Sequence, residues 1–157
     1  MIDFIQSEYD SLKIQLQKGG SPTNIARLKV IRHNQLEKYL DKGHGSCLLK
    51  NSNFRKIIVD ALSHDNGIKY DLHSYVIMPN HVHILIEPKD NYTIQNIIQV
   101  IKSVSSHNIN KITHNTGSIW QKEYFDRIIR NEDHYMRVIE YIKNNPKYCL
   151  PTEYTLY

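Results

Sequence analysis

The chain has 157 residues, 40% hydrophobic and 23% charged, which is enough for one domain with a real core and too few for two comfortable ones. Its formal net charge of +4 permits a polyanionic partner without demanding one. Cys47 and Cys149 lie far apart with no second Cys at metal spacing, which argues against a disulfide framework and fits a reducing compartment. No apolar run approaches the length of a membrane span, and the first residues (MIDFIQSEYD) are too acidic and polar for a signal peptide, so a cytoplasmic location without membrane contact is expected.

In chain order, residues 1–17 read as a short amphipathic helix that Gly19-Gly20-Ser21-Pro22 breaks. Residues 23–40 read as a second helix with Ile25, Leu28, Ile31 and Leu36 on its apolar side. Residues 51–63 form a third, capped by Asn51 or Ser52, with Phe54, Ile57, Ile58 and Leu62 inward. After the turn Asp65-Asn66-Gly67 the period changes. Residues 69–78 and 81–87 read as strands joined by Pro79-Asn80, and so short a connection makes them antiparallel. Residues 93–113 suit a long helix capped by Thr93, with Ile94, Ile97, Ile98, Ile101 and Val104 as its stripe. Residues 119–129 read as a third strand. Asn131 then caps a final helix, 132–145, which Pro146 stops. The order predicts an α+β fold, an antiparallel sheet with helices on one face.

Side chains alternate along a strand, so His81 and His83 point the same way while Val82, Ile84 and Ile86 point into the core. Two imidazoles side by side can share a divalent ion. Imidazole suits Zn, Mn or Fe better than Mg, so a third, oxygen-bearing ligand is expected from elsewhere. A bare H-x-H triplet is weak in a chain with nine histidines. Its setting, between a tight Met-Pro-Asn turn and a very apolar strand, strengthens it.

On the final helix Tyr135, Val138, Ile139 and Ile142 form the apolar stripe. Tyr141 and Asn145 sit one turn apart on a neighbouring face. If that face packs over the histidine strand, Asn145 can complete a metal shell and Tyr141 can reach a phosphate. A metal bound to a non-bridging oxygen neutralises charge that repels a nucleophile, and a tyrosine that attacks stores the bond energy in a covalent link. Tyr135 competes as nucleophile but falls on the apolar stripe, and Tyr148 lies beyond Pro146. A half-buried structural Tyr141 is the bland alternative. Lys102, Lys122, Arg127, Arg130 and Lys143 are candidate DNA-binding cations, each of which can equally be solvated surface.

Tyr75-Val76-Ile77-Met78-Pro79-Asn80-His81-Val82-His83-Ile84-Leu85-Ile86 closely resembles the signature of the single-tyrosine HUH transposases, in the branch of the REP-associated tyrosine transposases and their insertion-sequence relatives. Residues 120–130 (WQKEYFDRIIR) resemble the family's strand before the catalytic helix. Glu140 through Pro146 resembles the helix end that carries its nucleophile. The three blocks in this order are far more specific than any one motif.

The resemblance implies that His81, His83 and Asn145 hold Mg²⁺ or Mn²⁺. It implies that Tyr141 becomes linked to a DNA 5′-phosphate, leaving a free 3′-OH. It implies single-stranded DNA with a hairpin as substrate and a ferredoxin-like sheet as fold, and it allows a homodimer. The corresponding division is a helical extension (1–45), a catalytic domain (46–150) and a C-terminal tail (151–157). One departure stands out: residues 1–45 contain no convincing aromatic and β-branched run, so the first sheet strand is expected to be missing or atypical. The competing readings are a relative that binds hairpin DNA without cutting it, and a metal-dependent phosphodiesterase that uses water.

Overall fold

The computed structural model describes residues 22–157 apart from residue 123. The expected helix at 1–17 lies outside the described residues. The chain divides into two units, at Gly45 and Ser46. The described part of the first contains one helix, α1 (Pro22–Asp41), whose Tyr39 stacks on His44 in the turn that follows.

The second unit begins with a 3₁₀ turn (Leu48–Lys50) and helix α2 (Ser52–His64). Asn51 caps α2 by accepting the Asn53 N–H at 2.9 Å. Phe54, Ile58 and Leu62, spaced at one turn, are its buried face. Gly67, at φ +79°, closes the tight turn that follows, and the Asn66 side chain accepts the Leu72 N–H at 2.8 Å. Strands β1 (Tyr70–Ile77) and β2 (Val82–Pro88) then pair antiparallel. Met78 N–H donates to the His81 carbonyl at 2.8 Å to close the hairpin. Helix α3 (Ile94–Thr113) starts at a Thr93 cap and ends at His114 in the left-handed region. Helix α4 (Glu132–Asn144) starts at Asn131, whose side chain accepts the His134 N–H at 2.9 Å, with Glu132 and Asp133 complementing the helix dipole.

The α+β fold with an antiparallel sheet is as expected, and its three strands fit a ferredoxin-like sheet with one strand missing among the described residues. The placement of the helices is corrected: they cover both faces of the sheet. Tyr75, Ile77, Val82, Ile84 and Ile86 pack with α2 and α3 around Ile58, Leu62, Ile97 and Ile101. Val76, Met78 and Leu85 face the other way, against Val138, Ile139 and Ile142 of α4. Strands apolar on both faces need cover on both. Burying Ile142 completely is worth about 2 kcal/mol.

The strand expected over 119–129 is not formed: no described residue there belongs to a strand. The stretch is instead strapped to α3 by side chains. Trp120 Nε1 donates to Ser105 Oγ at 2.8 Å, Lys102 Nζ to the Gln121 carbonyl at 2.9 Å, and Asn110 Nδ2 to the Gly117 carbonyl at 2.6 Å. The composition is β-prone, but a strand needs a neighbour with a free edge in register, and that is a property of the fold.

Residues 151–157, expected as a tail, supply strand β3 (Thr155–Leu156), which pairs with β1 and gives the order β2-β1-β3. Tyr75 and Tyr157 exchange both backbone hydrogen bonds, at 3.1 and 3.0 Å, and their rings stack. Arg55, only 5% exposed, donates to the carbonyls of Leu49, Lys50 and Thr152 and to Thr155 Oγ1, tying α2 to the last strand.

Candidate active site

His81 sits at the hairpin turn, one residue ahead of β2. The 3₁₀ turn anchors that hairpin, since Leu49 N–H donates to the Pro79 carbonyl at 3.0 Å. His81 is 8% exposed, and its Nδ1 lies 2.7 Å from Asn80 Oδ1. With the amide oxygen as acceptor, the ring proton belongs on Nδ1 and the lone pair on Nε2. His83 follows on the same side of the strand. The two rings meet edge to face with centroids 4.9 Å apart.

Helix α4 crosses this face of the sheet. Its apolar stripe seats on Val76, Met78 and Leu85, which turns the next face of the helix toward the histidines. Tyr141 lies edge to face with His83, centroids 5.2 Å apart and planes at 79°. Asn145, one turn on, is the helix C-cap, and Pro146 behind it is buried. Among the described residues nothing hydrogen-bonds His81 Nε2, His83 Nε2 or Asn145 Oδ1, and all three atoms are buried. Buried polar atoms are normally satisfied, and those that are not call for an ion or water. No group of three or more His, Cys, Asp or Glu able to hold a metal is present among the described residues. Here the third donor is an amide oxygen. Two imidazoles and an amide oxygen form a mixed nitrogen and oxygen donor set that fits a divalent first-row ion such as Mn²⁺ better than it fits Mg²⁺.

The structure thus brings His81, His83 and Tyr141 together from a turn, a strand and a helix, with Asn145 one helical turn beyond Tyr141. The cations are less uniform. Lys102 is partly buried, binds the Gln121 carbonyl and lies 5.2 Å from the centre of the Tyr124 ring, and burial pulls its ammonium below the ordinary lysine range. Lys122, Arg127 and Arg130 are exposed on the strapped segment, and Lys143 on the last turn of α4. Two features carry no sequence signal of their own: the orienting contact from Asn80, inside the turn, and the exposed pair Lys147–Tyr148 just past Asn145, whose ammonium lies 4.8 Å from the ring centre.

The family described as "Transposase IS200 like" matches residues 48–145, more than half of the chain. This chain belongs to the IS200-like transposase family. The match spans the hairpin with both histidines, helix α3 and all of α4 through Asn145. An uncharacterized protein of Haemophilus influenzae (strain ATCC 51907 / DSM 11121 / KW20 / Rd) is 32% identical over 93 residues, which is 46% of this chain. The matched part spans 52%, about half, of that relative's length. No solved structure matches the chain. Among the described residues no helix is long and apolar enough to cross a membrane.

Proposed function

We propose that this transposase-family chain cleaves and rejoins single-stranded DNA through a covalent 5′-phosphotyrosine link at Tyr141. The observation that carries the reading is the ring contact between Tyr141 and His83, with His81 beside His83 and Asn145 one helical turn beyond Tyr141. A phenol without a nearby imidazole and amide would be an ordinary helix tyrosine.

His81, His83 and Asn145 would hold Mg²⁺ or Mn²⁺, with Mn²⁺ the better match to two imidazoles. When bound, the ion supplies charge neutralisation at a non-bridging phosphate oxygen. The protein's own residues do the rest. Asn80 holds the His81 ring in one tautomer and one orientation. Tyr141 is 46% exposed at the end of the helix, open to an incoming strand. Attack by the Tyr141 oxygen, which gives up its proton, forms the Oη–P bond and breaks the P–O3′ bond, and the departing oxygen takes up a proton to become the free 3′-OH. The reverse attack by a 3′-OH restores the phenol and rejoins DNA. Lys143 and the pair Lys147–Tyr148 lie near this helix end, a cation-and-aromatic combination suited to an unpaired strand.

Incubation with labelled hairpin-bearing single-stranded DNA and Mn²⁺, read on a denaturing gel, tests the reading. A protein–DNA adduct from the wild type and none from Tyr141→Phe is expected. An adduct that survives in Tyr141→Phe removes the nucleophile assignment, and free product without an adduct makes the protein a phosphodiesterase. The three-stranded sheet favours one second reading, a relative that holds hairpin DNA without cutting it. Tight binding with neither adduct nor product would establish that.

A further inference from the structure

Six residues before Tyr141 on the same helix, Tyr135 makes a separate set of contacts. Its Oη lies 3.3 Å from His73 Nδ1, and the two rings meet edge to face at 5.6 Å. The other ring nitrogen, His73 Nε2, lies 3.3 Å from Glu87 Oε2. Carboxylate, imidazole and phenol therefore form a chain across β2, β1 and α4. His73 owes its place to a bulge: the β1–β2 register shifts between Leu72 and Ser74, leaving His73 as the extra residue. A bulge re-aims a side chain. Here Leu72 packs with Ile86 toward α2 and α3, while His73 meets α4 on the opposite face.

We propose that Glu87, His73 and Tyr135 form a positioning relay that sets the rotation and height of α4 on the sheet, and so the place of Tyr141 over His83. The proposal rests on the reading of Tyr141 as the nucleophile. A single tautomer satisfies both contacts: Nε2–H donates to Glu87, and Nδ1 accepts from the Tyr135 hydroxyl. The other contacts of this helix with the sheet, from Val138, Ile139 and Ile142 onto Val76 and Leu85, are apolar. Apolar burial is non-directional and tolerates a slide or a roll. Directed hydrogen bonds do not. Tyr135 and Tyr141 are about 9 Å apart along the axis, at 1.5 Å per residue, and the helix between them is unbroken. A displacement at one end is thus carried to the other.

The relay is not a buried charge pair. Glu87 is 73% exposed, so its attraction for His73 is screened, and its effect is to orient the ring. Asp71, paired opposite Glu87 in the sheet, is occupied by Lys89 at 3.1 Å, which leaves Glu87 to His73. Each of the three residues is assigned a positioning role, acting through the helix.

The test uses Tyr135→Phe, which keeps the ring and its packing and removes the hydroxyl. In the DNA-free protein, nitrogen NMR of the His73 ring should show a single Nε2–H tautomer in the wild type and a mixture in the variant. Amide exchange over residues 138–145 should quicken roughly tenfold, as expected for one lost side-chain hydrogen bond. With DNA, the adduct rate constant should fall roughly tenfold while KM stays put, because binding is intact and only Tyr141 is misplaced. Glu87→Gln, which still offers an acceptor oxygen, should keep most of the rate, and Glu87→Ala should lose as much as Tyr135→Phe. An unchanged tautomer with unchanged exchange overturns the relay, as does a rise in KM at constant kcat. If the wild type forms no adduct at all, the nucleophile reading fails on its own, and the tautomer and exchange still decide the relay.

Discussion

The edge of the Tyr141 ring meets the His83 ring at 5.2 Å, and this contact joins the last turn of α4 to the first residues of β2. Ring geometry, not the phenolic oxygen, makes the contact. Tyr141→Phe should therefore fold as the wild type does, with stability changed by less than about 0.5 kcal/mol, as is usual for exposed positions. Adduct formation should vanish while urea midpoints coincide. A variant that loses both together would show that the hydroxyl is structural.

Metal binding has a readout that needs no DNA. An ion that binds only the folded state stabilises it by about 2.7 kcal/mol at one hundred times its Kd. Mn²⁺ should raise the melting temperature of the wild type in a concentration-dependent way, and chelator should reverse it. Asn145→Ala and His83→Ala should shrink the rise, because each removes one buried donor atom. Full retention in both would place the ion elsewhere.

Tyr148 is 85% exposed and sits under the Lys147 ammonium, three residues past Asn145. A base stacked on such a ring contributes about 2 kcal/mol, equivalent to roughly thirtyfold in Kd. Tyr148→Ala should weaken single-strand binding by that order, and Tyr148→Trp should restore it. Fluorescence anisotropy with a labelled oligonucleotide gives the answer, and equal affinities would rule out stacking there.

Alkaline pH should loosen the core at Tyr70. Its hydroxyl donates to the Leu62 carbonyl at 2.6 Å. Burial, helped by the Asp65 charge, pushes the phenol up from 10.0 to about 12. The folded pKa lies above the unfolded one, so the contribution is fully present below pH 10 and is lost as pH rises toward 12. Urea midpoints should fall between those values in the wild type. Tyr70→Phe should start lower, by about 1 kcal/mol for the lost hydrogen bond, and fall less steeply. Parallel curves would exclude Tyr70 as the source.

Local signals in the sequence read out well. The ends of α2, α3 and α4 are written in their own caps, Asn51, Thr93 and Asn131. The pairing of His81 with His83 follows from strand alternation, and that of Tyr141 with Asn145 from the helical turn. Signals that depend on distant partners did not read out. Residues 119–129 have strand composition, yet Trp120 and Gln121 are hydrogen-bonded to side chains of α3 and no described residue of the stretch joins a ladder. Thr155-Leu156 is too short to show a period, and its pairing with Val76 and Ile77 comes from the far side of the chain. The bulge at His73 is a mismatch between two strands, visible only once both are laid side by side.

Arg55 gives the order in which such a chain can assemble. Two of its acceptors, Leu49 and Lys50, lie six and five residues away, and two, Thr152 and Thr155, lie 97 and 100 away. Closing the long loop costs entropy that nothing repays until the guanidinium and the strand edge of β1 are already in place. Helix α2 and the hairpin are therefore expected to precede the final strand. The cover that Cys149 and Tyr154 place over the second apolar cluster should then form late.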